Sequence, residues 1–129
     1  MNIRAAVPAD ADDVYRLLSG FVTSYRPERG LFDRVTFPRV LDAAASGGAE
    51  FLVAQQKVRV VGYVLGLRLP TLFAGRTVLE VLELAVDAPL QGRGTGSALI
   101  RKKVEATVNV PVKVPVKVVT KDNVAGFSG

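Results

Sequence analysis

The chain has 129 residues, 49% of them apolar, with no cysteine, no histidine and a net charge of +5. That length fits one domain with its own core, and the missing residue types exclude disulfides, Cys/His zinc sites, a cysteine nucleophile and a Ser-His-Asp triad within this chain. No apolar run reaches the ~20 residues of a membrane span, and MNIRAAVPADADD carries acids where a signal peptide needs an apolar stretch, so a cytoplasmic protein is expected.

Residues 3–7 have the pattern of a first strand. Pro8-Ala9-Asp10 then opens a helix, with Val14, Leu17, Leu18, Phe21 and Val22 on one face. A loop follows over Tyr25-Arg-Pro-Glu-Arg-Gly30. A second helix is predicted from Thr36 as its cap, with Pro38 tolerated in the first turn and Ser46-Gly-Gly48 as the stop. Strands are expected over 50–56 and 58–69, joined at Gln55-Gln56-Lys57 and ended by Pro70.

A longer strand over 77–87, TVLEVLELAVD, contains Glu80 and Glu83. Three residues apart in a regular strand, they face opposite sides; a bulge brings them closer. After Pro89 comes a glycine-rich turn, and a helix continues from Gly96 to about Thr107. The last stretch, VNVPVKVPVKVVTKDN, alternates valine with proline or lysine and suits an edge strand. The order β-α-α-β-β-β-α-β predicts an α/β protein, with a mixed sheet carrying helices on its faces.

The turn LQGRGTGSALI places glycines at 92, 94 and 96 directly before a helix. The first N–H groups of a helix lack internal partners, and the helix dipole adds partial positive charge there. Such a segment is built to receive a phosphate, with Gln91, Arg93 and Ser97 available for side-chain contacts. A Walker loop requires a lysine that is absent, and the dinucleotide fingerprint requires glycine where Ser97 stands. A pyrophosphate-bearing ligand other than ATP or NAD is the working expectation. A glycine-rich turn that binds nothing is the alternative.

Gln91, Gly94 and Gly96 match the fixed positions of Gln/Arg-x-x-Gly-x-Gly/Ala, so the segment resembles the acyl-CoA motif of the GNAT family of N-acetyltransferases. The strand LELAVDAPL is similar to that family's fourth strand, and NIRAAVPADADDVYRLL to its first strand and helix. The resemblance runs to about Ile100. It implies one N-acetyltransferase-like domain over 1–129, with strands 1–4 in residues 1–90 and the acyl-CoA loop, helix and an atypical tail in 91–129.

It also implies acetyl-CoA as co-substrate, without a metal, and residue roles to match. Main-chain N–H groups from Gln91 through Gly92, Arg93, Gly94, Thr95 and Gly96 to Ser97 would hold the pyrophosphate. The main chain of Leu84, Ala85 and Val86 would pair with the pantetheine arm, and the N–H of Val86 would polarise the thioester carbonyl. A substrate amine attacks directly and needs a base. By resemblance Glu80 or Glu83 fills that role. A structural role for either, paired with an arginine or at a sheet edge, stays open.

Beyond Ile100 the chain departs from the family pattern. Asp122 to Gly129 keeps Asn123 of the family's Asn-x-x-Ala segment, but no tyrosine follows to protonate the leaving thiolate. With the last helix and strands short or missing, a homodimer completing the sheet is one expectation. Acceptor choice is expected mainly in the loop holding Tyr25, Arg26, Glu28, Arg29, Phe32 and Asp33, whose charges and rings single out no one amine; an ordinary surface loop with apolar anchors is the alternative.

Two other functions remain open. One is an acyl-CoA-binding or regulatory module without catalysis. The other is nucleic-acid binding through residues 91–129, which hold seven Lys/Arg against Glu105 and Asp122. Phe127, the sole aromatic in residues 101–129, leaves little for base stacking. The expected acceptor is therefore a small-molecule or protein amine, with no membrane involved.

Overall fold

The computed structural model describes residues 1–21, 27–106 and 112–113. In chain order these form β1 (Asn2–Ala5), a 3-10 turn (Pro8–Asp10), α1 (Ala11–Phe21), α2 (Arg29–Leu31), a π-turn (Phe32–Thr36), α3 (Phe37–Ala45), β2 (Ala49–Gln56), β3 (Arg59–Pro70), β4 (Thr77–Val86), α4 (Thr95–Ala106) and β5 (Val112–Lys113). The strands lie side by side in chain order. β1 to β4 are antiparallel, and β5 joins β4 in parallel. The mixed α/β class expected from the sequence is the one found.

Both faces of the sheet are covered, which is why FLVA and VVGYVL are almost continuously apolar. Side-chain alternation sends Phe51, Val53, Tyr63 and Leu65 to one face, where they meet Val14 and Leu17 of α1 and Phe32 and Phe37. Leu52, Ala54 and Val64 go to the other face, against Leu99 of α4, and Val61 joins them at the register shift opposite Ala54 and Gln55. No helix among the described residues is long and apolar enough to cross a membrane.

The second helical stretch begins earlier than its sequence pattern suggests. Glu28, not Thr36, is the cap: its carboxylate accepts from the N–H of Gly30 at 3.0 Å and of Leu31 at 2.9 Å. Thr36 is already helical and makes no capping bond. Between them Phe37 donates to the carbonyl of Phe32, five residues back, which opens a π-turn. At 3.6 residues per turn, side chains five apart would point about 140° away from each other. The wider turn lets Phe32 and Phe37 both face the sheet, each 5% exposed.

Near the amino terminus, Asp10 is buried and takes both guanidinium nitrogens of Arg4, at 2.8 and 2.9 Å, plus the N–H of Val7 at 2.8 Å. Burial pushes its carboxyl up. The Arg4 and Val7 hydrogen bonds outweigh that and leave it below the ordinary aspartate value. Its contribution is therefore fully present above pH ~3.9 and fades as pH falls through the lowered native value. Asp10→Ala, which removes the acceptor shared by the Arg4 guanidinium and the Val7 N–H, should cost about 1–3 kcal/mol at neutral pH in urea unfolding. The gap to the unsubstituted chain should narrow as the pH is taken below the ordinary aspartate value.

Candidate functional site

Pairing between β3 and β4 slips by one residue. Leu65 stands opposite Glu83 and Gly66 opposite Val81, so Leu82 is the extra residue of a bulge. The consequence falls on the two glutamates. Leu65, opposite Glu83, and Leu67, opposite Glu80, both belong to the α1/α3 side of the sheet. Val81 and Leu84 both pack on the α4 side. Glu80 and Glu83 therefore share a face, where a regular strand would have separated them.

Past the bulge, β4 has a free edge among the described residues, because β5 pairs with it only at Leu79 and Glu80. Asp87 donates its N–H to the carbonyl of Val61 at 2.8 Å. Strand alternation then directs the main chain of Ala85 toward β3, and the N–H groups of Leu84 and Val86 away from it. The strand end is anchored. Asp87 holds Arg16 of α1 at 2.5 Å and Arg59 at 3.6 Å, and Arg16 also donates to the carbonyl of Val60 at 2.8 Å.

The turn that follows takes its shape from glycine. Gly92 has φ +79° and Gly94 φ +86°, backbone that L side chains rarely adopt. The first described bond into α4 runs from Ala98 N–H to the carbonyl of Gly94 at 2.9 Å. The N–H groups of Thr95, Gly96 and Ser97 thus have no acceptor inside the helix. A Cβ on Gly96 would lie 3.3 Å from Leu84 Cδ2, so this first turn rests directly on β4. These main-chain donors stand at the positive end of a 12-residue helix whose first turn lies against β4, beside the edge left unpaired among the described residues.

Side chains in the turn divide by exposure. Arg93 and Ser97 are exposed, whereas Thr95 is 1% exposed and belongs to the core. Gln91 commits one amide N–H locally: Nε2 donates to the carbonyl of Val86 at 2.9 Å and ties the turn to the strand end. Its Oε1 is buried and without a hydrogen-bond partner among the described residues. Asn123 and the basic stretch beyond residue 113 lie outside the described residues.

On the α1/α3 face, Glu83 accepts a hydrogen bond from the Tyr63 hydroxyl at 2.7 Å. Burial holds the Glu83 carboxyl above its ordinary range, against the opposing pull of Tyr63. Burial and the neighbouring Glu83 push the Tyr63 phenol well up, so it stays a donor. Glu83 also lines a cavity of about 370 Å³ that Glu80 does not reach. Tyr63 had no sequence signal as a site residue, because its tie to Glu83 depends on a cross-strand register set by the bulge.

The residues expected to choose an acceptor are mostly engaged elsewhere. Arg29 pairs with Asp12 at 2.5 Å and with Asp33 at 2.9 Å, both at the surface. Phe32 is core, and Glu28 caps α2, though both also line the cavity. Tyr25 and Arg26 lie outside the described residues.

A family model described as the Acetyltransferase (GNAT) family matches residues 11–125. A search of curated proteins finds no match. Among solved structures, the ribosomal-protein-alanine N-acetyltransferase of Brucella melitensis biovar Abortus 2308 is 24% identical, with a TM-score of 0.64 over 90% of this chain and 81% of its own. A putative acetyltransferase from Agrobacterium tumefaciens str. C58 is 23% identical, TM-score 0.69, over 90% and 81%. An aminoglycoside acetyltransferase, meta-AAC0020, from an uncultured soil metagenomic sample is 18% identical, TM-score 0.67, over 89% and 76%. At these identities the likeness is one of fold.

Proposed function

The chain belongs to the acetyltransferase (GNAT) family, and from that premise we propose that it moves an acetyl group from acetyl-CoA to a primary amine by direct attack. The whole of residues 1–129 is taken as one such domain. Acetyl-CoA, when bound, supplies a pyrophosphate, a pantetheine amide chain and an electrophilic thioester carbonyl. The residues present fit those groups: the donors of Thr95, Gly96 and Ser97 suit the pyrophosphate, and the edge of Leu84 to Val86, unpaired among the described residues, suits an amide chain.

Each remaining role goes to a group of this chain. The Val86 N–H, turned away from β3, stabilises negative charge developing on the carbonyl oxygen. Glu83 receives the proton that the attacking amine must lose. From Glu83 to Val86 is roughly 10 Å along a strand at ~3.3 Å per residue, so a water molecule carries the proton between them. The C–N bond forms as the C–S bond breaks, and CoA leaves as the thiolate. Glu83 is preferred to Glu80 as base because it lines the cavity and its carboxyl is held above the ordinary range.

The observation that carries this reading is the β4 bulge. It puts the half-buried Glu83 carboxylate on one face of the strand, while the strand edge just beyond it has no partner among the described residues. A calorimetric titration tests it first. Acetyl-CoA should bind, and NAD and ATP should not. Failure of acetyl-CoA to bind the folded, full-length protein overturns the reading.

A further inference from the structure

We propose that the acceptor is a monoamine bearing one compact apolar group, aromatic or branched alkyl, which fills the cavity beside Glu83. This rests on the acetyltransferase reading above and names the substrate class of the same site. At about 370 Å³ the cavity is at the small end of the ~300–1,000 Å³ usual for small-molecule sites. Its walls include Val14, Leu18, Phe32, Phe37, Phe51 and Leu65. Rings continue through them: Phe32 stacks on Phe37 at 5.1 Å, Phe37 meets Phe51 at 6.0 Å, and Phe51 meets Tyr63 at 5.8 Å. The ring series ends at the Tyr63 hydroxyl on Glu83.

Charge in the cavity is as limited as its size. Of the two carboxylates that the described residues place on the wall, Glu28 is exposed and caps α2 through two backbone N–H groups. Glu83, on the sheet beside the ring series, is the one placed to meet the reacting ammonium. A second or third ammonium set among the aromatic and aliphatic side chains, away from both carboxylates, would be stripped of water without a counter-charge among the described residues, which is unfavourable. An apolar group gains there instead, since burying it displaces water from surfaces that cannot hydrogen-bond. The π-turn makes this possible by aiming both Phe32 and Phe37 inward. The reacting amine, arriving as an ammonium, hands its proton toward the Glu83 carboxylate and attacks as the free base.

The test compares 2-phenylethylamine with ethanolamine and spermidine, by rate of CoA release and by calorimetric binding of each amine to the CoA-loaded protein. For 2-phenylethylamine kcat/KM should exceed that of either other amine by about tenfold or more. Two variants probe the cavity. Leu31→Lys changes an exposed wall residue and places a cation at the opening; Val40→Trp fills the space from a half-buried position. Either should weaken 2-phenylethylamine binding by about tenfold while acetyl-CoA affinity stays the same. Equal or better turnover of spermidine or ethanolamine overturns the inference and leaves the acetyltransferase reading standing. Loss of acetyl-CoA binding in the unsubstituted protein fells that reading instead. The amine titration is then run without CoA, and no binding of 2-phenylethylamine overturns the inference as well.

Discussion

Gly94→Glu should abolish acetyl-CoA binding, lowering affinity by at least about 100-fold, or ~2.7 kcal/mol. Two effects act in the same direction. Gly94 has φ +86°, and a side chain there costs about 1–2 kcal/mol or forces the turn to change shape. The new carboxylate also competes with a pyrophosphate for the N–H groups of Thr95, Gly96 and Ser97. Stability should suffer less than binding, because a carboxylate at a helix start interacts favourably with the dipole. Gly75→Glu is the matched control. Gly75 has φ +68° with open space around the missing Cβ, and it lies in the β3–β4 connection away from α4. It should carry similar backbone strain and keep its acetyl-CoA affinity. If Gly94→Glu binds as well as Gly75→Glu, the turn is not the phosphate cradle.

Glu83→Gln should reduce kcat by about 10²–10⁴-fold, the usual contribution of a positioned base, with acetyl-CoA affinity unchanged. Glu80→Gln, away from the cavity, should change kcat only a few-fold. The base must be ionised to act, so kcat/KM rises with pH through a Glu83 value that burial holds above the ordinary glutamate range. Tyr63 donates to the carboxylate and pulls that value down. Tyr63→Phe should therefore move the acid limb of the profile to higher pH, an effect that simple loss of packing does not produce. Equal rates for Glu83→Gln and the unsubstituted protein would remove Glu83 from the mechanism.

Stability should change in the opposite direction from activity. A carboxyl whose folded value is raised binds its proton more tightly in the native state than in the unfolded chain. It costs nothing below the unfolded value of ~4.3, and destabilises progressively as pH rises from there through the raised native value. Glu83→Gln removes the half-buried charge and retains an acceptor for Tyr63. Its Tm should exceed that of the unsubstituted protein at neutral pH, with the difference vanishing under acid conditions. Gains in stability at the expense of activity are common where a site holds a group in an unfavourable environment.

Different parts of the molecule were legible from sequence to different degrees. The α1 face, the four antiparallel strands and the stop at Ser46-Gly-Gly48 follow from periodicity and from residues that end elements. Ser46 is the last helical-side cap of α3, and Gly47 next to it has φ +89°. The start of the second helical stretch was not legible in the same way. Thr36-Phe-Pro has the form of a helix start, yet Glu28 had already opened the helix and a π-turn absorbed the irregularity. Pro38 has no N–H to donate, and it follows directly on the π-turn, where the regular ladder is already interrupted.

What the sequence by itself determined is the local geometry of the turn from Gln91 to Ser97. Positive φ at glycine, and unpaired N–H groups at a helix start, depend only on neighbouring residues, so strand, glycines and helix suffice to predict an anion cradle. Tertiary structure decided the chemistry around it. Whether Glu80 and Glu83 share a face depends on one residue of slippage between β3 and β4, and a register is a property of two strands together. The raised Glu83 carboxyl, its Tyr63 donor and the aromatic cavity arise from burial against α1 and α3. Burial is summed over contacts distant in the chain, which no local pattern of residues encodes.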